Sequence, residues 1–225
     1  MRMRLRTNAY ERLAECAEYV LPTDETDGKG NVLEAIREKK YFDLSKVFGN
    51  DNPIYLEIGC GQGKFACETA RRNPSVNVLG VEKISNVILT GVEEAAKDKI
   101  PNVRFMRAEA EILPKYIKNG VISGIYLNFS TPLPRKGYVK QRLTSPRFLA
   151  IYRDLLVENG FLSQKTDDGD FFRYSIEEME KNGFEIIEKT ENLHQNGIVG
   201  IVTEYERKFL DLGMPIYALK AVKRN

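Results

Sequence analysis

Histidine and cysteine are scarce in this sequence. The one histidine, His194, and the three cysteines, Cys16, Cys60 and Cys67, form neither a CxxC pair nor a Cys/His ligand pattern. That argues against a zinc site and, the cysteine number being odd, against a disulfide framework. No apolar run approaches the ~18 residues of a membrane span. The opening stretch MRMRLRTNAYERLAECAEYV carries charges throughout, so no secretory signal is expected either. The expectation is a cytoplasmic protein with no metal and no membrane contact. A net charge of +2 rules out a globally basic protein. The balance hides basic stretches, RMRLR near the N-terminus and RKGYVKQR at Arg135 to Arg142, set against acidic ones such as IEEMEK. An uneven surface field follows.

With 225 residues, 42% of them hydrophobic, the chain has ample material for one large core. TDETDGKGN at 23–31 is polar and without apolar periodicity, and reads as a linker. Residues 1–31 are therefore expected to form a basic helical arm and linker, and 32–225 a single domain. From Ile54 short apolar runs alternate with amphipathic stretches: IYLEIG then KFACETARR, VLGVEK then SNVILTGVEEAAKDK, VRFMR, then GIYLNF and RFLAIYRDLLVENG. FLSQKTD, a helix-like DFFRYSIEEMEKNG, FEIIEKT and a strand candidate in the tail complete the series. This order predicts an α/β fold with helices on both faces of a mostly parallel sheet of about seven strands, the tail strand pairing antiparallel.

The first strand runs into LEIGCGQGKF, with Gly59, Gly61 and Gly63 at alternate positions before a helix. Glycines permit positive φ and let backbone approach a ligand. A dinucleotide fold would want GxGxxG, and position 64 is Lys. The tighter GxGxG preceded by Glu57 resembles the first motif of S-adenosylmethionine-dependent methyltransferases, whose ligand carries a cation instead of a pyrophosphate. Glu82 ends the second strand, placed to accept ribose hydroxyls, and Glu109 follows the third, within reach of an adenine amino group. Glu82 lies 19 positions past Gly63, a spacing close to the ~20 of dinucleotide folds, so spacing alone does not separate the two ligands.

The fourth strand leads into LNFSTPLPRKGYVKQR, Leu127 to Arg142. Pro132 and Pro134 stiffen the loop and present Asn128 and Thr131. Arg135, Lys136, Lys140 and Arg142, with Tyr138 among them, suit a phosphate backbone and a stackable base.

Taken together these motifs resemble the bacterial tRNA (guanine-N7)-methyltransferase family nearly end to end. The arm RMRLRTNAY, LEIGCGQGKF, GVEKISNVI, IYLNFSTPLPRK, KTDDGDFFRYS, NLH and TEYERKFLDLG all take part. The resemblance implies a Rossmann-like class I methyltransferase with a seven-stranded, mostly parallel sheet and one antiparallel strand. It implies transfer of a methyl group from S-adenosylmethionine to N7 of a variable-loop guanine in tRNA. By position, Glu57, Gly59, Gly61, Glu82, Glu109 and Thr131 would bind the donor. Arg135, Asp167, Thr203, Glu204, Tyr205 and Glu206 would contact the tRNA, and Arg2, Arg4 and Arg6 would meet its phosphates.

One departure stands at the reacting centre. Where the family reads NFSDPWPKKRH this chain reads NFSTPLPRKGY, so Thr131 replaces the acid credited with donor binding and catalysis, Leu133 the Trp, and Gly137 and Tyr138 an Arg-His pair. The acid of DLH is likewise Asn192. Guanine N7 carries a lone pair and no proton, so no general base is required. Holding the methyl and N7 in line and stabilising the purinium cation remain. A hydrogen bond to a charged group contributes ~1.5 to 3 kcal/mol against ~0.5 to 1.5 for a neutral one. Threonine at this position therefore predicts methyl transfer slowed roughly 10-fold to 100-fold. The alternative is a paralogue that binds tRNA or S-adenosylmethionine without turnover.

Overall fold

Residues 8–24 and 32–224 are described in a computed structural model. Arg2, Arg4, Arg6 and most of the 23–31 linker lie outside the described residues. The chain forms two compact units, Met1–Tyr116 and Ile117–Asn225.

The first unit contains α1 (Ala9–Glu15), β1 (Val20–Leu21), α2 (Val32–Ala35), α3 (Leu44–Phe48), β2 (Ile54–Ile58), α4 (Lys64–Arg72), β3 (Asn77–Val81), α5 (Ser85–Lys97), β4 (Val103–Met106) and α6 (Leu113–Tyr116). Its strands run parallel in the order β1-β4-β3-β2. Parallel neighbours need crossover connections, which α4 and α5 supply. Every residue of β3, NVLGV, is buried, as expected for a strand covered on both faces. Val78, Val103 and Phe105 pack with Ala66, Cys67 and Ala70 of α4 and with Ile88, Leu89, Val92 and Ala95 of α5. The oppositely directed Leu79, Val81 and Met106 are buried too.

Among the described residues eight strands are present, not the seven expected. The addition is β1, whose Val20 and Leu21 pair with Phe105 and Met106. Two residues are too short to show a period-2 pattern. The segment before it also joins the core: Ala9, Leu13 and Tyr19 belong to the cluster around α5, and Arg12 Nε donates to Glu93 at 2.7 Å. Further on, Asp24 accepts from Lys40 Nζ at 2.7 Å and from Lys115 Nζ at 2.6 Å.

The second unit contains β5 (Ile122–Asn128), α7 (Pro146–Leu155), β6 (Leu156–Thr166), α8 (Gly169–Lys181), β7 (Phe184–Thr190), α9 (Glu204–Asp211) and β8 (Tyr217–Lys223). The order is β5-β6-β8-β7, with β5 and β6 parallel and β8 antiparallel to both of its neighbours. The tail strand thus pairs as its position in the sequence predicts. Among the described residues no helix is long and apolar enough to cross a membrane, and no group of three or more His, Cys, Asp or Glu is placed to hold a metal ion.

Candidate functional site

In the first unit, three carboxylates stand at the carboxyl ends of three adjacent parallel strands. Glu57, next to last in β2, is 2% exposed and pairs across to Gly80 of β3. Glu82 follows β3 directly and is half-buried. Glu109, exposed, comes three residues after β4 and begins a short 3-10 turn at Ala110–Ile112. The β3–β4 ladder runs on beneath them, Glu82 N–H donating to Met106 O and Ala108 N–H to Glu82 O, both at 3.2 Å.

The chain leaves β2 through Gly59, Gly61 and Gly63, at φ 74°, 55° and 73°. These are left-handed conformations that an L side chain resists. Gly59 and Cys60 N–H donate to Val81 O at 2.8 and 3.0 Å. Glu82 clips the loop from the neighbouring strand, Oε2 accepting from Gly61 N–H at 3.3 Å and Oε1 from Ile84 N–H at 3.0 Å. A Cβ added at Gly59 or Gly61 would meet nothing within 4 Å, whereas one at Gly63 would meet the Phe105 ring at 2.7 Å and Gly91 Cα at 2.9 Å. The first two glycines therefore border open space, a cradle a ligand can fill, and the third seals the loop against α5. Gly91 stands outside every motif above. Its signal is nonetheless in the sequence: a glycine inside a helix costs ~1 kcal/mol relative to alanine, and a close backbone approach is a common reason for it.

Charge now separates the two ligands that spacing left open. Dinucleotide folds also carry an acid at the place of Glu82, but Glu57 stands beneath the loop itself, where a carboxylate opposes a pyrophosphate and complements a cationic group. The same surroundings act on the thiols. Burial, then Glu57 and Glu82, pushes the Cys60 thiol well above its ordinary value, and burial, then Glu94, pushes Cys67 up to about 12. Both are protonated at neutral pH and neither is a nucleophile.

In the second unit, β5 and β6 deliver the remaining candidates to adjacent strand ends. Asn128 registers with Lys165, and Phe129 N–H donates to Lys165 O at 2.8 Å. Thr131 follows and is exposed, as are Arg135, Lys136, Tyr138 and Lys140. Arg142 differs: half-buried, it sends its guanidinium back to the loop carbonyls of Pro132 and Leu133. After β6, Asp168 caps α8, accepting from Phe171 N–H at 2.7 Å. Asp170 pairs with Arg173. Asp167, half-buried, makes no side-chain hydrogen bond among the described residues, so its carboxylate is not consumed by the cap.

TEYE forms a capping box at the start of α9. Thr203 Oγ1 accepts from Glu206 N–H at 3.1 Å and Glu206 Oε2 from Thr203 N–H at 2.9 Å. Glu206 is fully buried, and its carboxylate also accepts from Lys165 Nζ at 2.9 and 3.1 Å and lies 2.7 Å from His194 Nε2. Val199 N–H donates to His194 Nδ1 at 3.1 Å, which makes Nε2 the protonated nitrogen. Glu206 thus points inward, while Glu204 and Tyr205 are exposed. The ring of Tyr205 lies nearly parallel to Phe129, centroids 6.5 Å apart, and Phe209 is stacked on Phe129 at 5.9 Å. The α9 box and the exit of β5 are therefore joined by an aromatic contact that no motif announces.

The chain matches, over residues 51–219, a family model described as "Putative methyltransferase". It is 38% identical over 224 residues to a tRNA (guanine-N(7)-)-methyltransferase of Geobacillus thermodenitrificans, covering 99% of this chain and 98% of that one. Among solved structures it resembles the 16S rRNA methyltransferase KamB, with TM-score 0.65 and 16% identity over 83% of this chain and 96% of that one. A 16S rRNA (adenine(1408)-N(1))-methyltransferase variant from Catenulisporales acidiphilia, with the cosubstrate SAM, superposes with TM-score 0.55 and 16% identity, covering 86% of this chain and 90% of that one. At such identities the structural likeness concerns the fold alone, that of Rossmann-like methyltransferases.

Proposed function

This chain belongs to the tRNA (guanine-N(7)-)-methyltransferase family, and we infer that it transfers a methyl group from S-adenosylmethionine to N7 of a guanine in the variable loop of tRNA. One observation carries the reading: Glu57, Glu82 and Glu109 end three adjacent parallel strands beside a glycine loop whose first two members border open space. S-adenosylmethionine supplies an electrophilic methyl on a sulfonium. Glu57 complements the cationic end of that ligand from beneath the loop. Glu82 accepts the ribose hydroxyls on its remaining lone pairs, and Glu109 accepts the adenine amino group. Gly59 and Gly61 let the backbone lie against the ligand.

On the tRNA side, Arg135 with Lys136 and Lys140 holds phosphates. Asp167 accepts guanine N–H donors, and Thr203, Glu204 and Tyr205 line the base. Glu206 supports that turn from inside, through Lys165 and His194. Thr131 offers one neutral hydrogen bond where the family has a carboxylate. N7 attacks with its own lone pair, so the residues need only align it and stabilise the purinium. We place the reaction in the cytoplasm.

The test is incubation of pure protein with labelled S-adenosylmethionine and unmodified tRNA, followed by nucleoside mass spectrometry. N7-methylguanine is expected; none at stoichiometric enzyme overturns the reading.

A further inference from the structure

We propose that Arg142 is a positioning residue that clamps the Thr131–Pro134 loop from behind and takes no part in holding RNA phosphates. In sequence it closes a basic run with Arg135, Lys136 and Lys140, and composition gives no reason to separate the four. The side chains do separate. Those three are exposed, while Arg142 is half-buried. Its Nε donates to Pro132 O at 2.7 Å and its Nη2 to Leu133 O at 3.4 Å. Its Cζ sits 4.4 Å from the ring centroid of Tyr174 and 5.6 Å from that of Phe171, both on α8.

The loop needs such a clamp. Pro132 and Pro134 have no N–H, so a turn beginning at Thr131 cannot close on an amide of Pro134. Carbonyls remain without the donors that an ordinary turn would supply. Leu133, between the prolines, is held at φ 46° and Phe129, four residues earlier, at φ 52°. Non-glycine residues persist in the left-handed region only where neighbours over-determine them. Phe129 is fixed by its N–H bond to Lys165 O and by its stack with Tyr205 and Phe209. Leu133 is fixed by Arg142. Thr131 lies between these two anchors, so its orientation depends on both. A planar fork that donates to two carbonyls while stacking on an aromatic face is a task for arginine that lysine does not perform.

The proposal rests on the methyl-transfer reading for its kinetic test and stands apart from it in its proteolytic one. Arg142→Ala, Arg142→Lys, Tyr174→Leu and Arg135→Ala would be compared with the wild type for tRNA binding across a salt series, for kcat and KM of methylation, and for tryptic cleavage after Arg135 and Lys136. Arg142→Ala is expected to lower kcat at least about 10-fold with an unchanged salt slope, Arg142→Lys to fail to rescue it, and Tyr174→Leu to act in the same direction. Arg135→Ala is expected instead to raise KM and flatten the slope by about 0.7 to 0.9. A flattened slope in Arg142→Ala would make it a phosphate contact and overturn the clamp. Should Arg142→Ala fail to fold, Tyr174→Leu decides, an unchanged kcat counting against the proposal. Should the wild type methylate no tRNA, the reaction reading fails, but faster cleavage of the Arg142 variants still supports the clamp and equal rates still overturn it.

Discussion

At position 131 the proposed chemistry turns on charge. Thr131 is exposed beside the end of β5, and a carboxylate there would stabilise the purinium that a hydroxyl can only hydrogen-bond. Thr131→Asp is therefore expected to raise kcat about 10-fold to 100-fold with little change in tRNA affinity, measured under saturating donor. At position 206 the issue is burial. Glu206 answers Lys165, His194 and the Thr203 amide in the interior, and removing one member of a buried ionic set costs about 3 to 5 kcal/mol. Glu206→Gln should lower the denaturant midpoint far more than Glu204→Gln, for which a surface change of within about 0.5 kcal/mol is expected. Comparable midpoints for the two would refute the buried role.

Between β2 and α5 the glycine loop and a helix share one contact. Gly91→Ala ought by propensity to stabilise α5 by about 1 kcal/mol, but its Cβ would lie 2.8 Å from Gly63 Cα and 2.9 Å from Gln62 O. The loop must shift, so weaker S-adenosylmethionine binding by calorimetry and a lowered melting temperature are expected. Beside α6, Asp24 joins Lys115 and Lys40, and their hydrogen bonds, Lys115 first, hold its carboxyl below the usual carboxylate range. A folded pKa below the unfolded one contributes stability that is full above the unfolded value and is lost as pH falls through the folded one. Asp24→Asn should then destabilise the protein at neutral pH and flatten its decline below about pH 4, and an unchanged acid limb in thermal melts would contradict this.

For the molecule as a whole, a net charge of +2 predicts weak attraction to RNA if charge were spread evenly. The exposed Arg135, Lys136 and Lys140 concentrate it. tRNA binding is thus expected to fall steeply with salt, each phosphate contact adding about 0.7 to 0.9 to the slope; a nearly salt-independent affinity would deny the patch its role.

Much of this was legible in the residues themselves, because strand and helix periods, the spacing of Gly59, Gly61 and Gly63, and the acids ending successive strands are local properties of the chain. They settle the α/β class, the parallel order with an antiparallel tail strand, and the position of the carboxylates. What local pattern does not encode is which way a polar side chain turns. Glu206 faces the core while Glu204 and Tyr205 of the same TEYE motif face out, and Arg142 turns inward from a run whose other members are exposed. β1 escaped notice because two paired residues carry no period, and the packing of the expected helical arm did so because Ala9, Leu13 and Tyr19 acquire meaning only against α5. Sequence determined the fold and the kinds of chemistry at its strand ends, since those follow from spacing. Tertiary structure alone decided which charges are neutralised inside and which remain exposed, since burial and pairing join residues that lie far apart in the chain.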